Sequence, residues 1–369
     1  MQTHFISTAL LVAGLAMATT ALAEDYRNDF DSDKPLTIAV FGDWPYNQNL
    51  LDNAPLLINS VNADRDVSQV IHVGDIHSGS MPCTSAGILP PISTSNPGWN
   101  QAVYHQFQQF NAPVVYTPGD NEWVDCHKSK EKSSGNPLNE LASVRSLFFA
   151  RPGHTLGMNE KIVRTQAKNF DPAYPADAKF VENVMWKEAK VVFVTLNMPG
   201  SNNDTLPWSG SFANPGAQMV EVSERTDADI RWLQAAFNEA KNTHARAIVV
   251  AVQADMWDLA AIQTGGDGLD KYTRLVKMLA DLSVQFGRPV LLLNGDSHLY
   301  GSDRPLADPA SATGKIHGTQ SVPNLTRITV QGSTNAPAEW LRLTIDHHKH
   351  DVFSWKNVPY CNDPLASCQ

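Results

Sequence analysis

Short apolar runs recur along the chain, and they end alike. Leu36–Phe41 "LTIAVF", 68–73 "SQVIHV", 113–117 "PVVYT", 191–196 "VVFVTL", 247–252 "AIVVAV" and 289–293 "PVLLL" are each four to six residues long and rich in Val and Ile. Runs of this length and composition predict strands buried on both faces. Between them the apolar spacing lengthens to a helical period. In residues 225–244, Ile230, Leu233 and Phe237 share a face, with Thr226 or Asp227 as the predicted cap. In residues 269–287, Leu275, Leu279, Leu282 and Phe286 do the same, and Gly287 is the predicted stop. Alternating strands and helices predict an α/β fold.

Two stretches break this rhythm. Residues 77–99 are rich in Ser, Pro and Gly, and residues 121–180 form a polar, irregular insertion, apart from a predicted helix around Leu138–Phe149. Long insertions in compact domains often form lids or binding loops. The last part of the chain, "RITVQG", "EWLRLTID" and "DVFSWK", reads as a β-meander of the same domain. No repeat or linker divides the core, so residues 24–369 are expected to form a single domain.

The N-terminus changes the setting. An apolar stretch from Phe5 to Met17 leads to Ala21-Leu22-Ala23, the small-x-small pattern of a secretory signal, with no Lys or Arg ahead of it. This predicts a signal peptide over residues 1–23, cleavage after Ala23, and a periplasmic or secreted protein with no membrane span in the mature chain. In an oxidising compartment the four cysteines read as disulfides. Of the three pairings, Cys83–Cys126 with Cys361–Cys368 is expected. No C-x-x-C spacing supports a thiolate metal site. The net charge of −10 is not accompanied by a basic stripe, so nucleic-acid binding is not expected. Of 369 residues, 42% are hydrophobic, which is ample for a large core.

The ends of the apolar runs carry the chemistry. Four finish in Gly-Asp: "AVFGD" at Asp43, "IHVGD" at Asp75, "YTPGD" at Asp120 and "LLNGD" at Asp296. A fifth, "VVAVQAD", reaches Gln253 and Asp255. Ligands of open α/β sheets sit beyond the carboxyl ends of strands. Carboxylates converging there repel unless a cation neutralises them. A single Gly-Asp is ordinary turn chemistry; four in equivalent places are not.

In motif order the chain resembles the calcineurin-like metallophosphoesterases, from about Ile38 to Leu299. The resemblance implies two packed mixed β-sheets flanked by helices and a two-metal centre that activates a hydroxide against phosphorus. It places metal ligands at Asp43, Asp75, Asp120, Gln253, Asp296 and His298, with Asp75 bridging. Asn121 falls where that family carries its catalytic His, and Pro45 where it carries a His ligand. The donor set is richer in oxygen than the family's, which favours Mn, Mg or Ca, with Fe or Zn as alternatives. The expected function is hydrolysis of a small phosphate ester, and the alternative is a weak or inactive binding protein, because Asn121 cannot deliver a proton.

Further candidates surround this core. Arg304 is a candidate phosphate clamp, and His77 a candidate for the ligand missing at Pro45. Asp255 is the alternative to Gln253. Trp44, Tyr46 and Trp123 could stack on an aromatic substrate or simply pack. His347, His348 and His350 read as an exposed turn, and His72 as a satisfied core histidine. The sequence leaves the oligomeric state and the substrate open.

Overall fold

A computed structural model describes residue 30, residues 32–83 and residues 98–369. The signal-peptide assignment therefore lies outside the described residues, as do residues 84–97 of the stretch at 77–99.

Two mixed sheets stack face to face between helical layers, the two-sheet α/β sandwich expected from the strand–helix rhythm. The first sheet has the order β12-β11-β1-β2-β3, built from Leu36–Phe41 (β1), Val67–His72 (β2), Val114–Tyr116 (β3), Ala338–Ile345 (β11) and Phe353–Cys361 (β12). The second has the order β4-β5-β6-β7-β8-β10-β9. Its strands are Arg164–Thr165 (β4), Val184–Glu188 (β5), Val191–Thr195 (β6), Ala247–Ala251 (β7), Val290–Asn294 (β8), Gly301–Asp303 (β9) and Leu325–Thr329 (β10).

The unbroken apolar runs follow from this layering. Ile38 and Val40 point into the layer between the sheets, where they meet Phe193, Val249 and Leu291. Their neighbours Ala39 and Phe41 point outward under the helices, packing with Leu57, Val103 and Phe107. Both faces of β1 are buried, so alternation gives way to a continuous hydrophobic segment. The outer face of the second sheet is covered by helices Pro215–Asn242 and Thr273–Phe286 through Trp232, Leu233, Leu275 and Leu279.

Three expectations need correction. The first of these helices starts at Pro215 with Asn214 accepting from the Ala217 amide, so Thr226 and Asp227 are interior rather than capping. Asn followed by Pro is itself a strong start signal, but the apolar residues after it, Met219 and Val220, are exposed and off the buried face, which hid the first three turns. The C-terminal strands are not a meander. β11 and β12 pair antiparallel in the first sheet, whereas β10 lies parallel to β8 in the second. The insertion at 121–180 is also more structured than expected. It holds three 3-10 turns, helix Pro137–Phe148 capped by Asn136, β4 and a short helix at Gln166–Asn169. The helix at Thr273–Phe286 does stop at Gly287, whose left-handed φ of 63° needs no Cβ.

Both expected disulfides are present, Cys83–Cys126 and Cys361–Cys368. The first ties the segment after β2 to the insertion after β3. No helix among the described residues is long and apolar enough to cross a membrane.

Candidate metal centre

β1, β2 and β3 run parallel, as do β6, β7 and β8, so their carboxyl ends meet along one edge of the sandwich. The chain turns sharply there. Asp43, Asp75, Asp296 and His298 all hold positive φ, at 48°, 59°, 73° and 63°. Such conformations cost a non-glycine residue on the order of 1–3 kcal/mol and cluster at functional sites. The intervening glycines allow a close approach. A Cβ on Gly295 would lie 2.6 Å from Asp43 Oδ2, and one on Gly119 would lie 1.9 Å from Asp75 Oδ1.

Asp43, Asp75 and His298 converge, each offering a ligand atom within 4.8 Å of the others. His298 Nε2 lies 3.4 Å from Asp43 Oδ1. At their centre stands the Tyr46 hydroxyl. It donates to Asp75 Oδ2 at 2.7 Å and lies 3.1 Å from both Asp43 Oδ1 and His298 Nε2. Asn121 closes this side. Its amide nitrogen Nδ2 donates to Asp75 Oδ2 at 2.9 Å, to the His77 carbonyl at 3.0 Å and toward the Tyr46 hydroxyl at 3.2 Å.

The other side is wired differently. Asp120 Oδ1 accepts from Gln253 Nε2 at 3.0 Å, and its Oδ2 accepts from Ser201 Oγ at 2.6 Å. Gln253 Oε1 is taken by the Gly200 amide. Ser201 also lies 2.7 Å from Asp125 Oδ1 and accepts from Lys128 Nζ at 2.8 Å. Lys128 and Lys130 both pair with Asp125, at 2.5 and 2.8 Å. Ser201 is presented by a turn in which Ser201, Asn202, Asn203 and Asp204 all have φ between 48° and 58°. Buried Arg225 holds this turn through the Asn203 side chain at 2.6 Å.

The electrostatics separate the two sides. Burial pushes the Asp75 carboxyl well above the usual range, and the charges of Asp120, Glu122 and Asp43 add to this. Burial, then Asp120, does the same to Asp296. Burial and Asp125 raise Asp120, while Ser201 and Lys128 work against them. Glu122, beneath the centre, is pushed up to about 7 by burial. Burial alone would lower the His298 imidazole, but Asp43 outweighs it and raises it. Burial likewise opposes ionisation of Asp125, yet Lys128 and Lys130 hold its carboxyl low.

The donors therefore fit one divalent ion, at Asp43, Asp75 and His298. Carboxyls raised by burial, and further by one another's charge, are what a cation would relieve. The second set expected from the sequence is brought to the same edge, but Asp120 and Gln253 are tied into a network with a serine and a lysine of their own. Asp120 and Gln253 bond to each other, to Ser201 and to Gly200, and Asp296 Oδ2 accepts from the Asp255 amide at 3.0 Å.

The peripheral candidates resolve as follows. Arg304 does not face the centre; it lies by Asn324 and Thr326, at the opposite end of the second sheet. Asp255 is engaged by Arg327 and by Ser297 Oγ at 2.8 Å, so it is not an alternative ligand. His77 is buried with Nδ1 3.2 Å from the Ser78 carbonyl and does not join the Asp43 set. Trp44 and Trp123 are core residues. His72 bonds to the Trp44 carbonyl at 2.9 Å and the Gly74 amide at 3.1 Å, as a satisfied core histidine does. His348 and His350 are exposed, as expected of the turn, but His347 is buried and lies 3.8 Å from Asp33.

Sequence reasoning missed the role of Tyr46 and all of Ser201, Asp125 and Lys128. Tyr46 follows Asp43 by three residues, and that spacing was a signal. Ser201 follows the buried run at 191–196 in "MPGSNND", a polar strand end without Gly-Asp.

No family model matches the chain, and no curated protein matches it. Among solved structures it aligns with GAP50, the anchor in the inner membrane complex of Plasmodium, at 11% identity and a TM-score of 0.41, covering 89% of this chain and 90% of that one. It also aligns with a putative alpha-L-fucosidase from Bacteroides thetaiotaomicron at 10% identity and a TM-score of 0.28, covering 90% and 93%. At these scores neither likeness bears on activity.

Proposed function

We propose that this chain is a divergent calcineurin-like metallophosphoesterase, exported, which hydrolyses a small phosphate ester with a divalent ion at Asp43, Asp75 and His298. One observation carries the reading: three donors from the ends of strands in two different sheets come within 4.8 Å of one another. Mn, Mg or Ca suit these oxygen-rich donors best, with Fe or Zn as alternatives. One ion is favoured over two because Asp120 and Gln253 are engaged by Ser201 and Gly200.

When bound, such an ion supplies Lewis acidity and a nucleophile at neutral pH. The protein's own groups orient the ester. Asn121 Nδ2 is a fixed donor at the centre and would hold a phosphoryl oxygen. The Tyr46 hydroxyl would donate beside it. Lys128, held by Asp125 and Ser201, supplies positive charge on the Asp120 side. Asn121 itself cannot protonate the leaving group, so good leaving groups such as aryl phosphates should react best.

A second reading is a metal-binding protein without turnover. It is favoured by Asn121 and by the Tyr46 hydroxyl filling the centre. Metal analysis of purified protein, coupled to a screen of phosphate monoesters and diesters, separates the two. Metal-dependent turnover supports the first reading; bound metal with no ester hydrolysed supports the second. A protein that binds no divalent ion refutes both.

A further inference from the structure

Arg304 is not wasted at the far end of the sandwich. It lines a cleft of about 640 Å³ that opens where β7, β8 and β10 begin, against the turn between β11 and β12. That volume lies within the range of small-molecule sites, on the order of 300–1,000 Å³. The cleft is cationic in a chain whose net charge is −10. Arg246, Arg288, Arg304, Lys349 and His350 line it, against Asp351 as the one acid.

The partners of these groups decide what the cleft lacks. Lys349 is matched by Asp346 at 3.4 Å, and His350 by Asp351 at 3.1 Å. Arg288 donates to the His244 carbonyl at 2.8 Å and to that of Ala245, so it is structural as well as charged. Arg246 and Arg304 have no side-chain partner among the described residues. Two guanidinium groups without a side-chain partner thus line one cleft, each with five N–H donors of the kind that meets an anion. Pro289, Phe353 and Trp355 supply an apolar wall, with Asn324 and Thr326 nearby. Trp355 is fixed by its indole N–H, which donates to the Tyr300 hydroxyl at 3.0 Å.

We propose that this cleft is a second binding site, for a small phosphate monoester carried on a flat ring: the phosphate between Arg246 and Arg304, the ring against Pro289, Phe353 and Trp355. A bare anion would leave most of the cleft and its apolar wall unused. The site is at the opposite end of the sheets from Asp43, Asp75 and His298, and the proposal does not depend on the function assigned to that centre.

The test is calorimetric titration of the full-length protein in chelator, where the metal centre cannot compete, with AMP, inorganic phosphate and adenosine as probes. AMP should bind at about one site per chain and weaken as salt is raised. Inorganic phosphate and adenosine should each bind about tenfold more weakly or worse, because each lacks half of the recognition. Arg246→Ala with Arg304→Ala should weaken AMP by about tenfold or more, since charge-assisted bonds are lost. Both residues are exposed, so an unchanged melting temperature would show that the double variant is folded. Asp75→Asn should leave AMP binding as it is. The proposal is overturned if AMP does not bind in chelator, if the arginine variant binds it as well as the wild type, or if inorganic phosphate binds as tightly as AMP.

Discussion

The two sides of the candidate centre are built from the same parts and end in different states. On one, Asp43, Asp75 and His298 face one another around the Tyr46 hydroxyl, with Asn121 donating to Asp75 and the Asp296 amide to Asp43. On the other, Asp120 and Gln253 satisfy each other, and Ser201 links them to the Asp125–Lys128–Lys130 ion pairs. The first side is a set of buried acids whose nearest cationic group is the half-buried His298; the second carries its counter-charge as lysine. Neutralisation, rather than the number of carboxylates, decides where a metal belongs.

The largest effect should come from Asp75→Asn. With Mn, Mg or Ca present, the variant should lose the metal-induced rise in melting temperature and about a hundredfold or more of aryl phosphate hydrolysis. In chelator the order should reverse, with the variant melting no lower than the wild type, because it no longer buries a carboxyl that resists ionising. Calorimetric melts with and without metal check both halves. If the variant is less stable in both conditions, Asp75 is a structural acid and the contrast between the two sides fails.

Asn121→His should come next. It restores a proton donor beside Asp75, and general acid help is worth about 10²–10⁴-fold. Turnover of esters with poor leaving groups should rise by on the order of a hundredfold, while activated aryl esters gain little. A uniform change for both classes would mean that the substitution altered binding rather than proton transfer.

Glu122→Gln sharpens the electrostatic side of the comparison. Glu122 accepts from the Tyr116 hydroxyl at 2.8 Å and the Ile76 amide at 3.1 Å, and its carboxyl is pushed up to about 7 by burial. Its folded value lies above the unfolded value of about 4.5, so the native state binds the extra proton between these pH values. The stability this contributes is fully present below pH 4.5 and is lost as pH rises through 7. Denaturant melts in chelator should therefore show Glu122→Gln gaining on the wild type by about 3 kcal/mol between pH 4.5 and 7, then staying level. A constant difference across that range would place Glu122 in a solvated setting.

The smallest effect should come from Ser201→Ala. It removes a donor to Asp120 on the side that already holds its own cations, so metal affinity should change by about threefold or less. Equilibrium metal titration measures this, and a loss as large as that in Asp75→Asn would erase the distinction between the two sides.

Much of this was legible because strand ends are local. Gly-Asp after a buried run fixes where a carboxylate emerges, and Asp43, Asp75, Asp120 and Asp296 do gather at one edge. The wiring between them was not legible. Whether Asp120 is free or held depends on Ser201, 81 residues away, arriving on a left-handed turn braced by Arg225. Arg304 was misplaced because its sequence distance from His298 is short, while β9 carries it back along the sheet to the start of β10. The parallel placement of β10 beside β8 was hidden for the same reason: apolar runs reveal strands but not their neighbours. Tyr46 was seen, but as a ring to stack or pack rather than as a hydroxyl donor. Its buried position goes with a hydroxyl that meets four site residues, which no local pattern encodes.

The account turns on one quantity, the number of divalent ions each chain holds after exhaustive dialysis against metal-free buffer. Elemental analysis of the wild type beside Asp75→Asn and Ser201→Ala measures it directly. The account predicts about one ion in the wild type, about one in Ser201→Ala and none in Asp75→Asn. Two ions in the wild type, or one retained by Asp75→Asn, would contradict it.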